Sequence, residues 1–121
     1  MRRVFFIDYE NVDTAGLDGL SRLTSQDEIY IYYSEKHSRM TFGLHRRICE
    51  SNAKFMYRKI KDKTKNALDN TLMDEAKDII NDPKSDYYII SKDKGYQNFI
   101  KKELIQGFKV NMYTDIKESN Q

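Results

Sequence analysis

Five short runs of β-branched and aromatic residues, spaced by stretches with helical periodicity, constrain this chain more than any other feature. Residues 3–8 (RVFFID), 27–33 (DEIYIYY), 53–60 (AKFMYRKI), 86–91 (DYYIIS) and 108–113 (FKVNMY) read as strands. The intervening patterns predict helices over 13–23, 40–51, 67–81 and 96–106, the last stopped by Gly107 and the third closed ahead of Pro83. Strict alternation of this kind favours a parallel sheet with helices on both faces, because each parallel return needs a crossover. A chain of 121 residues with 39% hydrophobic content has enough apolar surface for one core. We therefore expect one domain over 1–114, followed by a polar tail, 115–121, that frays.

Several chemistries are excluded early. Only Gly16 and Gly19 follow the first strand, so neither a dinucleotide fingerprint nor a nucleoside triphosphate loop is present. Cys49 is the single cysteine, which rules out an internal disulfide, and its place beside Leu44 and Ile48 predicts a core position. The N-terminal apolar run ends after four residues at Asp8, and no stretch approaches the roughly 20 apolar residues of a membrane span. A soluble, cytoplasmic protein without a membrane partner is the expectation. Charge is unevenly placed: from Lys36 to Lys65 ten basic residues face Glu50 and Asp62, a local excess of +8 that leaves the remainder at −6 of the net +2. Such a segment is either a solvated face or a hold for a polyanion.

The acids fall where strands hand over to helices. Asp8 follows Val4-Phe5-Phe6-Ile7, a charge at the end of a strand that should be buried, and buried carboxylates are paired or metal-bound. Asn11 stands beside it, and Glu10 fits a tying role in the turn. With Leu68 at 0° and ~100° per residue, Asp69 falls near ~100°, inside the apolar arc of Leu72, Met73, Ala76 and Ile79. Asp74 and Asp78 fall on the solvent side, while Glu75, near ~340°, borders the arc as an outer ligand candidate. Asp93 lies just past the fourth strand in Ser91-Lys92-Asp93-Lys94-Gly95, where Ser91 and Lys94 are placed to meet a phosphate. Carboxylates gathered from separate strand ends repel one another unless a cation neutralises them, and hard oxygen ligands suit Mg²⁺ or Mn²⁺. Helix caps and turns are the competing explanation: Asn66 and Asp69 have the spacing of a capping box.

The ordered set Phe6-Ile-Asp8-Tyr-Glu10-Asn11-Val, Lys65-Asn-Ala-Leu-Asp69 and Tyr88-Ile-Ile-Ser91-Lys-Asp93-Lys-Gly95-Tyr resembles the PIN-like superfamily of nucleases, close to its NYN branch. The resemblance implies a three-layer α/β/α fold with a five-stranded, mainly parallel sheet of order 3-2-1-4-5. It also implies an acidic Mg²⁺ or Mn²⁺ pocket that hydrolyses RNA, with Asp8, Asp69 and Asp93 as metal-binding acids and Asn11 supporting the first. On this reading the protein is an endoribonuclease acting on single-stranded RNA, whose flanking phosphates are held by Arg46, Arg47, Lys63 and Lys65. Two departures matter: relatives often carry a further acid about where Gln97 stands, and Glu75 has the spacing to compensate. The alternative is a weak or inactive module that binds RNA or protein. A receiver-like phospho-acceptor domain fits poorly, since Asp62 and Lys117 are badly placed for it. A domain this small has limited hold on a long substrate, so a homodimer or a regulatory partner stays open.

Overall fold

The computed structural model describes residues 1–120. Strands β1 (Arg3–Asp8), β2 (Asp27–Ser34), β3 (Lys54–Ile60), β4 (Asp86–Ile90) and β5 (Lys109–Tyr113) form one sheet in the order β3-β2-β1-β4-β5. All four pairings are parallel, with Asp8 opposite Tyr32 on one side and Ile7 opposite Ile90 on the other. This is the expected order. The chain reverses direction across the sheet between β1 and β4, so Asp8 lies at the switch point, where crossovers leave to opposite sides and open a crevice at the strands' carboxyl ends.

Alternation along the central strands divides the apolar residues between two layers. Val4, Phe6, Tyr87 and Ile89 face helices α3 (Ala67–Ile79) and α4 (Gln97–Ile105), and bury against Leu68, Leu72, Ala76, Phe99 and Ile100. Phe5, Ile7, Ile29, Ile31, Tyr88 and Ile90 face the other way, onto Val12, Leu17, Leu20, Leu44, Ile48 and Ile116. Helix α2 (Phe42–Glu50) starts at Thr41, whose hydroxyl accepts from the Leu44 N–H at 3.1 Å. Gly107, at φ 95, ends α4. None of the helices is long and apolar enough to cross a membrane among the described residues.

Three expectations are corrected. The segment 13–23 is not an α-helix: a single turn, α1 (Tyr9–Val12), is followed by 3₁₀ turns over Asp13–Leu17 and Leu20–Arg22. Its interruptions are local, with Asp13 at φ 54 and Gly19 at φ 96, while Gly16 packs so close to Val12 that an added Cβ would lie 2.2 Å from a Val12 methyl. Cys49 is exposed, because α2 is narrow in its contact with the sheet and buries only Leu44 and Ile48.

The C-terminal segment does not fray over its described part. Ile116 is fully buried; its N–H donates to the Gly16 carbonyl at 3.2 Å and the Lys117 N–H to the Asp18 carbonyl at 2.8 Å. A 3₁₀ turn follows at Lys117–Asn120, and the Asn120 side-chain oxygen accepts from Arg3 at 2.6 Å. One apolar residue in an otherwise polar stretch is enough to dock it. Ile116→Ala is expected to cost about 2–4 kcal/mol, read as a lower urea midpoint with an unchanged slope.

Candidate active site

Asp8 ends β1 with 2% of its surface exposed, yet it has a donor for each oxygen. Its Oδ2 accepts from the Ser91 hydroxyl at 3.1 Å and the Tyr96 hydroxyl at 3.0 Å, and its Oδ1 accepts from the Asn11 N–H at 3.3 Å. Burial nevertheless raises its pKa above the usual carboxylate range, the hydrogen bonds offsetting part of that cost. Asn11 reaches across as well: its side-chain oxygen accepts from the Lys92 N–H at 2.7 Å. The loop after β1 is thereby tied to the loop after β4. Asn11 is a positioning residue in this arrangement.

Asp69 stands in the first turn of α3, half-buried beside the fully packed Leu68 and Leu72, as its angular position required. No capping box forms, since Asn66 adopts φ 65 and its side chain makes no cap bond. Asp93 caps the turn before α4, its Oδ1 accepting from the Gly95 N–H at 2.8 Å, while its own N–H donates to Ser91 Oγ at 3.0 Å. Burial first, then the Asp8 charge and the adjoining Asp93 carboxylate, push Asp69 up to about 6. These acids therefore sense one another electrostatically.

A cavity of about 850 Å³ opens over this edge of the sheet. Asp8, Glu10, Asn11, Asp69 and Asp93 line it together with Lys36, His37, Lys59, Lys61, Lys63 and Lys65. The expected Lys63 and Lys65 are thus at the cavity. Lys36, Lys59 and Lys61, which the sequence marks only as part of the basic segment, join because β2 and β3 end beside the acids. Other candidates lie elsewhere. Arg46 and Arg47 are exposed on α2, with Arg46 3.5 Å from Glu50, and neither they nor the exposed Lys94 line the cavity. Ser91 is buried and engaged with Asp8 and Asp93, so its hydroxyl is not offered to a phosphate. Glu75 is held by Arg58 through two hydrogen bonds and accepts from the Tyr32 hydroxyl at 2.9 Å, away from the cavity. Arg58 keeps Glu75 below its ordinary pKa.

Sequence reasoning overlooked Tyr96, whose ring reads as ordinary core; nothing in the sequence marks its hydroxyl as a partner of Asp8. The donor chemistry of the three aspartates fits a hard divalent cation, which would relieve the part of the Asp69 pKa rise that comes from the Asp8 charge and the adjoining Asp93 carboxylate, burial being its larger cause. As the side chains stand, no three His, Cys, Asp or Glu among the described residues converge closely enough to ligate one ion.

No curated protein and no solved structure matches the chain. Among models of known families, that of the PIN domain matches residues 2–113, almost the whole sequence. Its extent covers all five strands and every aspartate of the cavity, and the chain belongs to the PIN domain family.

Proposed function

We propose that this PIN domain is a metal-dependent ribonuclease that cuts single-stranded RNA internally, acts in the cytoplasm and lies close to the NYN branch of the PIN-like proteins. PIN domains are usually metal-dependent nucleases. The observation that carries the reading is that Asp8, Asp69 and Asp93, from three separate elements, line one cavity together with a row of lysines. Asp8, Asp69 and Asp93 would hold Mg²⁺ or Mn²⁺. A cation bound there supplies Lewis-acid polarisation of the phosphate and an activated water. The chain's own contribution is positional: Asn11 and Ser91 fix the two loops that present Asp8 and Asp93, while Lys61, Lys63 and Lys65 bind the flanking phosphates.

A second reading, a PIN domain that binds RNA or protein without cutting, has two specific supports. Glu75 is neutralised by Arg58, so it does not supply a further ligand, and Gln97 opens α4 as an exposed amide where the family resemblance implies a further acid. Incubating the protein with labelled single-stranded RNA and Mn²⁺, with and without chelator, separates the two. Cleavage that chelator stops is the expected result, whereas binding without cleavage selects the second. RNA affinity measured in chelator should fall with salt, and the combined substitutions Lys61→Ala and Lys63→Ala should lower the log–log slope by about 1–2.

A further inference from the structure

The ring of Tyr96 is fully buried in the same apolar layer as Phe6, Leu68 and Phe99, a space that phenylalanine would fill equally well. Its hydroxyl is the only part with a polar partner, and that partner is Asp8 Oδ2. Ser91 already donates to this oxygen, and the Asn11 N–H to the other, so the Asp8 carboxylate would be satisfied without a third donor. The outcome is asymmetric: two hydroxyls hold Oδ2 at 3.0 and 3.1 Å, and one longer bond of 3.3 Å touches Oδ1. Placement of the tyrosine follows from the preceding turn. Asp93 accepts from the Gly95 N–H at 2.8 Å, which closes the turn that precedes Tyr96.

We infer that Tyr96 is a positioning residue which locks one Asp8 rotamer and commits Oδ2 to the protein, leaving Oδ1 as the single oxygen that Asp8 offers to a divalent cation. This rests on the metal-dependent reading of the site and specifies how Asp8 serves it. Hydrogen-bond partners of metal-ligating carboxylates typically alter metal affinity about 10- to 100-fold when removed, which makes the hydroxyl measurable on its own.

The test compares Tyr96→Phe with Tyr87→Phe, which also removes a buried hydroxyl but at the opposite end of the sheet, where it meets Arg2 at 3.2 Å and the Asp82 N–H at 3.1 Å. Mn²⁺ is titrated calorimetrically without RNA, and kcat and KM are then measured on single-stranded RNA. Tyr96→Phe is expected to weaken Mn²⁺ about tenfold and to lower kcat with KM for RNA nearly unchanged, and Tyr87→Phe to do neither. Unchanged Mn²⁺ affinity in folded Tyr96→Phe, with only a lower melting temperature, overturns the inference. If Tyr96→Phe is unfolded at the assay temperature, the titration is repeated in the cold with an excluded osmolyte that favours the folded state, and unchanged affinity there overturns it equally. Wild type that binds Mn²⁺ without cutting RNA would end the nuclease reading alone, the Mn²⁺ comparison still deciding the role of Tyr96.

Discussion

Asp69→Asn should lower RNA cleavage by about 10²- to 10³-fold and, in metal-free buffer at pH 7.5, make the protein more stable. Both effects have one cause. An aspartate in an unfolded chain titrates near ~3.9, whereas folded Asp69 is pushed up to about 6 by burial and by Asp8 and Asp93. The native state therefore holds this proton more tightly, and its favourable contribution is complete below about pH 4 and lost as pH rises through about 6. Above that, ionised Asp69 works against folding. Two units correspond to ~3 kcal/mol at most, and solvent screening of a half-exposed carboxyl reduces this to about 1–2 kcal/mol. The amide keeps the shape and loses the charge, so its melting temperature at pH 7.5 should exceed wild type by ~3–8 °C, with the gain vanishing towards pH 4. Mn²⁺ should reverse the order by stabilising wild type more than the variant. A variant less stable than wild type across the whole pH range would contradict this account of the site's electrostatics.

Leu72→Ala should produce the opposite pairing, a large loss of stability with little loss of chemistry. Leu72 is fully buried on α3, three residues after Asp69, within the layer that joins the helix to the central strands. Removing it takes away transfer free energy and leaves a cavity that close-packed neighbours fill only partly, a cost of about 2–5 kcal/mol. A domain with a total stability of roughly 5–15 kcal/mol then has a measurable unfolded fraction near its working temperature. The urea midpoint should fall at constant slope, and cleavage per folded molecule at low temperature should stay within about threefold of wild type. A much larger loss per folded molecule would mean that α3 moves Asp69 when its core contact is lost.

The parts of this structure that were legible in the sequence are those governed by periodicity. Val4 to Ile7 alternate between two layers, and the angle of Asp69 relative to Leu68 and Leu72 placed its carboxylate on the inward side of α3. Strand order is not a local property, and it was read from resemblance, not from spacing. What escaped was decided by partners distant in sequence. Glu75 bordered the apolar arc as expected, but only the register of β3 on β2 brings Arg58 opposite Tyr32 and close enough to capture it. Residues 13–23 have helical apolar spacing, yet close packing at Gly16 and positive φ at Asp13 and Gly19 break the run into turns. Cys49 and Ile116 exchanged their expected environments for a similar reason, since burial depends on which surface a segment meets.

On the proposed function, Asp8, Asp69 and Asp93 act as one metal-dependent site. Its most direct test is the single-turnover cleavage rate of a labelled single-stranded RNA in Mn²⁺, for wild type and for Asp8→Asn, Asp69→Asn and Asp93→Asn, each confirmed as folded by circular dichroism. Chelator-sensitive cleavage in wild type and a loss of about 10²-fold or more in every variant are expected. Cleavage that persists in chelator, or that survives any one of the three substitutions undiminished, would contradict it.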